Sequence, residues 1–240
     1  MVAAIVTNQE PAIAFDRERA SSYDKMAAKF APIRDSLHFL IRTVLSDLPA
    51  NARILCVGAG TGAELLYLAQ AFPNWQFTAV DPAIPMLDIC RQQAEESGIA
   101  SRCTFHGGYL DSLPESDSFD AATALFVSHF IMEPEQRRNF FHQIARRLQP
   151  QGYLISADVV YDLSSSTYPS ILNVWLDIMK SAGIPDDERN KMRDAYGRIV
   201  AVLPPSEVAS MIAMGGFDPP VLFFQNLLMH AWYAKRGSID

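Results

Sequence analysis

The chain has 240 residues, 49% of them hydrophobic and 20% charged, which sets disorder aside and supplies enough apolar surface for one large packed domain. A formal net charge of −7 repels phosphate backbones and anionic lipid, so neither nucleic acid nor a membrane surface is an expected partner. Cys56, Cys90 and Cys103 form no CxxC pair and no metal-ligand spacing, and read as reduced thiols of a cytoplasmic protein.

The opening stretch "MVAAIVTNQE" lacks the basic region of a signal peptide, and no apolar run approaches the roughly 20 residues that cross a bilayer. Leu37, Leu40, Ile41, Val44, Leu45 and Leu48 recur at helical spacing and stop at Pro49. Strands and helices then alternate. "RILCVG" predicts a strand, "TGAELLYLAQAF" a helix, "WQFTAVD" a strand and "IPMLDICRQQAEESG" a helix with Gly98 as its C-cap. "SRCTFHGG" and "FDAATALFVS" predict strands, "PEQRRNFFHQIARRLQ" a helix and "GYLISADVV" a strand. These strands are aliphatic throughout rather than alternating, the pattern of a parallel sheet covered on both faces.

After Val160 the rhythm changes. "YPSILNVWLDIMKSAG" predicts an amphipathic helix and "DDERNKMRDAYGRIVAVL" a largely helical stretch, with no obvious strand from Tyr161 to Pro205. That segment reads as an insertion over the carboxyl edge of the sheet. Its apolar stripe (Tyr168, Ile171, Leu172, Trp175, Ile178, Met179) serves equally as core, as a lid or as a dimer surface, so monomer and homodimer both stay open. The helix "PSEVASMIAMGG" and the runs "PPVLFFQN" and "LLMHAWYAK" close the chain, the last two as an antiparallel pair.

Within "ILCVGAGTG", Gly58 and Gly60 end a strand and open a helix, which lets a ligand approach backbone N–H groups at a helix N-terminus. A tight turn with no ligand is the plain alternative. Asp81 ends the next strand, where a carboxylate either accepts the ribose hydroxyls of a nucleoside or caps the helix that begins near Ile84. Gly58-x-Gly60-x-x-Ala63 also satisfies a permissive dinucleotide fingerprint, so spacing alone does not choose between a dinucleotide and another nucleoside.

Five segments in order resemble the class I S-adenosylmethionine-dependent methyltransferases. They are "ILCVGAGTGAELLYLA", "AVDPAIPMLDICRQ", "GGYLDSLPESDSFDAATALFVSHFI", "IARRLQPQGYLISAD" and "MIAMGGFDPPVLFFQNLLMHAWYAKR", covering most of the chain from about Asn51. The resemblance implies one domain with a Rossmann-like, doubly wound, seven-stranded and mostly parallel sheet whose final strand is antiparallel. Its parts would be an N-terminal helical segment (1–50), a cofactor-binding core (51–160), a helical lid insertion (161–205) and a closing helix and hairpin (206–240).

It further implies S-adenosylmethionine as cofactor and a small-molecule methyl acceptor. Gly58, Ala59, Gly60 and Gly62 would lie nearest the methionine part, and Asp81, with Pro82 beside it, would take the ribose hydroxyls. Met86 would lie against the adenine, with Tyr109 and Leu110 on its other side. Ala124, Leu125 and Phe126 would run beneath the sulfonium and ribose, and Tyr23 would close over the cofactor from an N-terminal helix. Two positions depart from the family's pattern: Cys56, where an acid usually orients the loop and the methionyl ammonium, and Gly108, where an acid usually meets the adenine.

Methyl transfer needs position, dehydration and, for a protic acceptor, a base, but no metal. His129, after the fourth strand, is the candidate general base, with a buried histidine bonded to backbone as the alternative. Asp158 and Tyr161, at and after the end of the fifth strand, face the same edge as candidate catalytic groups or loop anchors. Two readings compete with the methyltransferase. One is a non-catalytic binding protein, favoured by Cys56 and Gly108. The other is an NAD-dependent oxidoreductase, for which no catalytic Tyr–Lys pair is found.

Overall fold

The computed structural model describes residues 17–115 and 118–237; the opening stretch read as carrying no leader lies outside them. Seven strands form one sheet: β1 (Arg53–Val57), β2 (Gln76–Asp81), β3 (Cys103–Gly107), β4 (Phe119–Leu125), β5 (Leu148–Val159), β6 (Val221–Asn226) and β7 (Met229–Lys235). Their order is β3-β2-β1-β4-β5-β7-β6, with β7 antiparallel to both neighbours and the other pairings parallel. This is the sheet expected from the sequence.

Successive strand residues face opposite sides, and both sides are buried, which is why the strands read as aliphatic runs. Ile54, Cys56, Phe77 and Ala79 face the helices α2 (Ala31–Val44), α3 (Ala63–Ala71) and α4 (Ile84–Glu96) through Ile41, Leu65 and Leu87. Leu55, Val57, Val80 and Ala122 face α5 (Pro134–Arg147), whose Phe140, Phe141 and Ile144 fill the other layer. The chain runs outward from β1 to β3 and returns to β4, so the carboxyl ends of β1 and β4 flank the switch point where ligands of such sheets collect.

The helix α1 (Arg17–Ala28) lies against α4 and precedes α2. After β5, α6 (Tyr168–Ser181) and α7 (Asp186–Ala195) pack on each other, and α8 (Pro205–Met214) packs on α5. The stripe on α6 is divided: Trp175 and Met179 are buried, while Tyr168, Ile171, Leu172 and Ile178 are half-buried. Trp175 stacks on Phe30, with ring centroids 5.6 Å apart, and its indole N–H donates to Tyr196 Oη at 2.9 Å.

The helix expected to run on toward Leu203 stops at Ala195 instead. Gly197 adopts φ +77° and its N–H donates to Val200 O at 2.8 Å, turning the chain back, and Ala201 N then donates to His129 O at 2.7 Å. None of the described helices is long and apolar enough to cross a membrane.

Candidate active site

The loop after β1 is built on three left-handed glycines, Gly58 at φ 66°, Gly60 at 55° and Gly62 at 86°, conformations that other residues adopt at a cost. Gly58 N and Ala59 N both donate to Val80 O, at 2.8 and 3.2 Å. Gly60 N donates to Asp81 Oδ2 and Ala83 N to Asp81 Oδ1, each at 2.8 Å. One carboxylate thus ties the loop to the residue that precedes α4. Among the described residues no side chain caps α4, whose N-cap residue is Ala83, so the contact to Ala83 N braces the turn before the helix as the contact to Gly60 N braces the loop.

A cavity of about 120 Å³ lies over this loop. Gly58, Ala59, Gly60, Met86, Leu125 and Phe126 form its floor and sides, and Tyr23 of α1 roofs it together with Arg34 and His38 of α2. Gly62, Asp81, Pro82, Tyr109, Leu110 and Ala124, expected around the same ligand, do not line it. Gly62 is the N-cap of α3, Asp81 is only 1% exposed, and Leu110 and Ala124 pack into the opposite layer of the core with Tyr109 against them.

The cavity is anionic. Glu64, on the first turn of α3, lines it at 8% exposure and accepts a long 3.4 Å hydrogen bond from Thr123 Oγ1. Burial raises the Glu64 carboxyl to about 7, and burial likewise raises Asp81 to about 6 against the pull of its two backbone donors. Asp24 also lines the cavity, held by Thr61 Oγ1 at 2.7 Å and Gln93 Nε2 at 2.8 Å. Burial, and then Glu64, Asp24 and Asp81, push the Tyr23 phenol upward. Arg34 brings the lining cation, itself bonded to Asp35 at 2.9 and 3.0 Å, and burial lowers His38 to about 4, leaving it neutral. Such a cavity suits a cationic ligand with an apolar body.

A second, smaller cavity of about 40 Å³ adjoins it, sharing Tyr23, Ala27, Phe30, Phe126 and Met229. Its far wall comes from α6 and the segment after α7, with Trp175, Met179, Tyr196 and Val200, and from His129. Apart from the Tyr23 and Tyr196 phenols the rest of the lining is apolar, and His129 is its one imidazole.

His129 is 2% exposed, on a tight turn (Ser128–Phe130) after β4. Its backbone N–H donates to Asp158 Oδ1, and ring Nδ1 lies 3.0 Å from the same oxygen. Two contacts meet at Nδ1: Asp158 Oδ1, which as a carboxylate favours the tautomer with the proton on Nδ1 and a lone pair on Nε2, and Val159 N at 3.3 Å, whose N–H finds an acceptor there only in the other tautomer. Asp158 Oδ2 accepts from Ser128 Oγ at 2.7 Å, and Arg137 Nη2 stands 3.3 Å away in an ion pair without hydrogen-bond alignment. Arg137 Nε donates to Ser128 Oγ at 2.9 Å and Nη1 to Ala201 O at 3.2 Å.

Burial opposes ionisation of Asp158, yet Arg137, His129 and Ser128 hold it below the usual range; burial lowers His129, only partly offset by Asp158. Asp158 is fully buried behind the histidine and lines neither cavity, and Tyr161 lies outside both, its Oη bonded to Thr167 Oγ1 at 2.8 Å. Of the three candidate catalytic groups, His129 alone reaches a cavity wall. Glu64, Asp24, Arg34 and Arg137 were not anticipated. Of these, only Glu64, the acid two residues past the last loop glycine, carried a local signal.

Residues 54–152 match the family model for a methyltransferase domain. The carboxy-S-adenosyl-L-methionine synthase of Campylobacter lari is 25% identical over 204 residues, spanning 85% of this chain and 86% of that protein. Together these matches support a class I S-adenosylmethionine-dependent methyltransferase. The same comparisons support an enzyme whose cofactor is S-adenosylmethionine.

A bifunctional biotin-biosynthesis protein of Teredinibacter turnerae is 30% identical over 158 residues, 61% of this chain and 27% of that protein. Among solved structures, an O-methyltransferase family 2 protein of Planctomyces limnophilus in complex with apigenin superposes with a TM-score of 0.65 at 17% identity. It covers 94% of this chain, which spans 63% of its length. A putative O-methyltransferase of Nostoc punctiforme gives the same TM-score at 19% identity, again with 63% of its length spanned. These likenesses are of fold. These comparisons favour S-adenosylmethionine over a dinucleotide on the loop, and the cavity fits that cofactor in kind, with a glycine cradle, a methionine on one wall and anionic groups for a cation.

Proposed function

We propose that this methyltransferase acts on a small, largely apolar acceptor by in-line displacement, with the reacting atom brought to His129. One observation carries the reading: two cavities share a wall, one with acidic groups against the glycine loop and the other mostly apolar, with two phenols and a single imidazole. When bound, S-adenosylmethionine supplies an electrophilic methyl group on a sulfonium. The chain's residues do the rest. Tyr23 and Phe30 exclude water from above, Phe126 and Met229 separate and align the two ligands, and Asp81 keeps the loop in register by holding Gly60. His129 takes the acceptor's proton on Nε2, while Asp158 fixes the ring and stabilises the imidazolium that forms. Arg137 and Ser128 keep Asp158 ionised. Tyr161 anchors the start of the lid rather than touching the acceptor.

A second reading has support of its own. The synthase of Campylobacter lari matches over most of both chains, and Arg34 places a cation on the cofactor cavity, which a carboxylated sulfonium product would require. The experiment that separates the two is calorimetric titration with S-adenosylmethionine and S-adenosylhomocysteine, followed by mass spectrometry of turnover mixtures. Phenolic and other apolar protic acceptors are supplied, and His129→Asn is run in parallel. Methylated acceptor that disappears in the variant supports the proposal. A carboxylated sulfonium species instead, or full turnover by the variant, sinks it.

A further inference from the structure

Glu64 is a buried carboxyl group with no cation among the described residues placed to compensate its charge once ionised. Its carboxylate lies on the wall of the cofactor cavity, and its partners among the described residues are neutral: Thr123 Oγ1 at 3.4 Å and the peptide N–H groups of Glu64 and Leu65. Among the described residues, the ionisable groups that act on it are acids or neutral donors. These are Cys56 on β1, Asp81 on β2, Cys90 on α4 and Tyr23 on α1; Asp24 of α1 and Arg34 and His38 of α2 share the cavity, with Arg34 engaged by Asp35. A buried unpaired charge is costly unless something pairs it.

Position 56 explains what the acid is for. Cys56 stands where the family resemblance places an acid, and it is fully buried with a thiol that burial, then Glu64, pushes well upward, so it offers no anion. Cys56 stands directly opposite Thr123 across the β1–β4 pairing, and Thr123 is also the residue that Glu64 contacts. The carboxylate of Glu64 therefore reaches the neighbourhood of position 56 from the following helix instead of from the strand.

We propose that Glu64 is the anionic contact for the amino-acid ammonium of S-adenosylmethionine, replacing an acid that the strand lacks at Cys56. This inference rests on the cofactor reading of the glycine loop and adds the residue that distinguishes the full cofactor from its nucleoside part. Ionisation of Glu64 on binding would release protons to solvent near neutral pH, because the arriving cation favours the charged carboxylate.

The test titrates the whole protein and its Glu64→Gln variant with S-adenosylmethionine, S-adenosylhomocysteine and 5′-methylthioadenosine, the last lacking the amino-acid end. The variant should lose about tenfold or more in affinity for the first two, the size of one charge-assisted hydrogen bond, and change less than about twofold for the third. Adding Cys56→Asp to Glu64→Gln should restore part of the loss. If Glu64→Gln does not fold, titration of the unaltered protein in buffers of different ionisation enthalpy decides. S-adenosylmethionine must then release protons near pH 7 where 5′-methylthioadenosine does not. Equal weakening of all three ligands, no weakening, or no ligand-specific proton release overturns the assignment of Glu64 alone. Failure of the unaltered protein to bind any of the three overturns the cofactor site itself.

Discussion

Arg137 is the side chain whose removal should be felt most widely. Its guanidinium and the Asp158 carboxylate are both fully buried, 3.3 Å apart, so Arg137→Met leaves a carboxylate in the core with only Ser128 and His129 as donors. Breaking a buried pair by removing one member costs about 3–5 kcal/mol, because the remaining charge is uncompensated. In a chain of this size each kcal/mol lowers Tm by about 2–4 °C, so the variant should melt about 6–20 °C below the parent.

The cost should also depend on pH. In the parent, Asp158 lies below its usual range, so its stabilising contribution is present above that range and is lost on acidification. Without Arg137 the same buried carboxyl is raised, and it destabilises as pH rises through its new value. The gap between variant and parent should therefore widen from pH 4 to pH 7. Adding Asp158→Asn removes the orphaned charge, and thermal or urea unfolding of the four proteins should give an interaction energy of about 2 kcal/mol or more. A single variant within about 2 °C of the parent, or strictly additive losses, would refute the claim that this pair is what holds Asp158 ionised behind His129.

Other expectations follow from the same geometry. Glu64 and Asp81 are raised to about 7 and about 6, so stability that is present below their ordinary values is lost as pH climbs through 6 to 7 in the ligand-free protein. Replacing Glu64 by Gln should accordingly stabilise the protein relative to the parent by up to roughly 3 kcal/mol more at pH 8 than at pH 5, read from urea midpoints; a difference that ignores pH would count against it. His129→Asn should lower kcat by about a hundredfold or more while leaving the affinity for S-adenosylhomocysteine within about twofold, since the ring lines the second cavity and not the first. Gly62→Ala puts a Cβ 2.5 Å from Cys90 Sγ at φ +86°, and should cost about 2–4 kcal/mol. Cys90→Ala in that background should recover only the part due to the contact, as chemical denaturation would show by a residual backbone penalty.

The sheet, the loop and the change to helices after Val160 were legible because their signals are local. Three glycines that need positive φ, aliphatic runs between capped helices and a change of rhythm after Val160 are all read within a few residues. The end of α7 was not, because Gly197 stops a helix that the apolar residues beyond it seemed to continue, and the stop is completed by a bond from Ala201 to His129, far away in the chain. Asp158 and Tyr161 looked alike as polar groups near a strand end. What separates them is the pairing of β4 with β5, which brings Ser128 and Arg137 onto Asp158 across gaps of 30 and 21 residues and leaves Tyr161 to the lid. The resemblance pointed to Asp81 as a group turned to the ligand. In the ligand-free fold both its oxygens serve backbone donors, a use of the same residue that the motif alone does not distinguish.

The two buried charge groups of this molecule are opposite in kind, and the contrast bears on where the chemistry lies. Around Asp158 the charge is matched: a guanidinium, a hydroxyl, an imidazole and a backbone N–H converge on one carboxylate, with only Arg137 Nη2 lacking a hydrogen bond, so the group can hold its charge and orient His129 with nothing bound. Around Glu64 the opposite holds, with Asp24 and Asp81 nearby, neutral donors as partners and one cation turned toward Asp35. A fold tolerates an unmatched anion in its interior when a bound cation completes it, and the raised carboxyl groups are the energetic trace of that missing partner. On this argument the complete network marks the machinery that must be rigid before either ligand arrives. The incomplete one marks the place where a positive ligand contributes to stability as well as to catalysis, so ligand binding should raise Tm most above pH 7, where Glu64 must otherwise carry its charge alone.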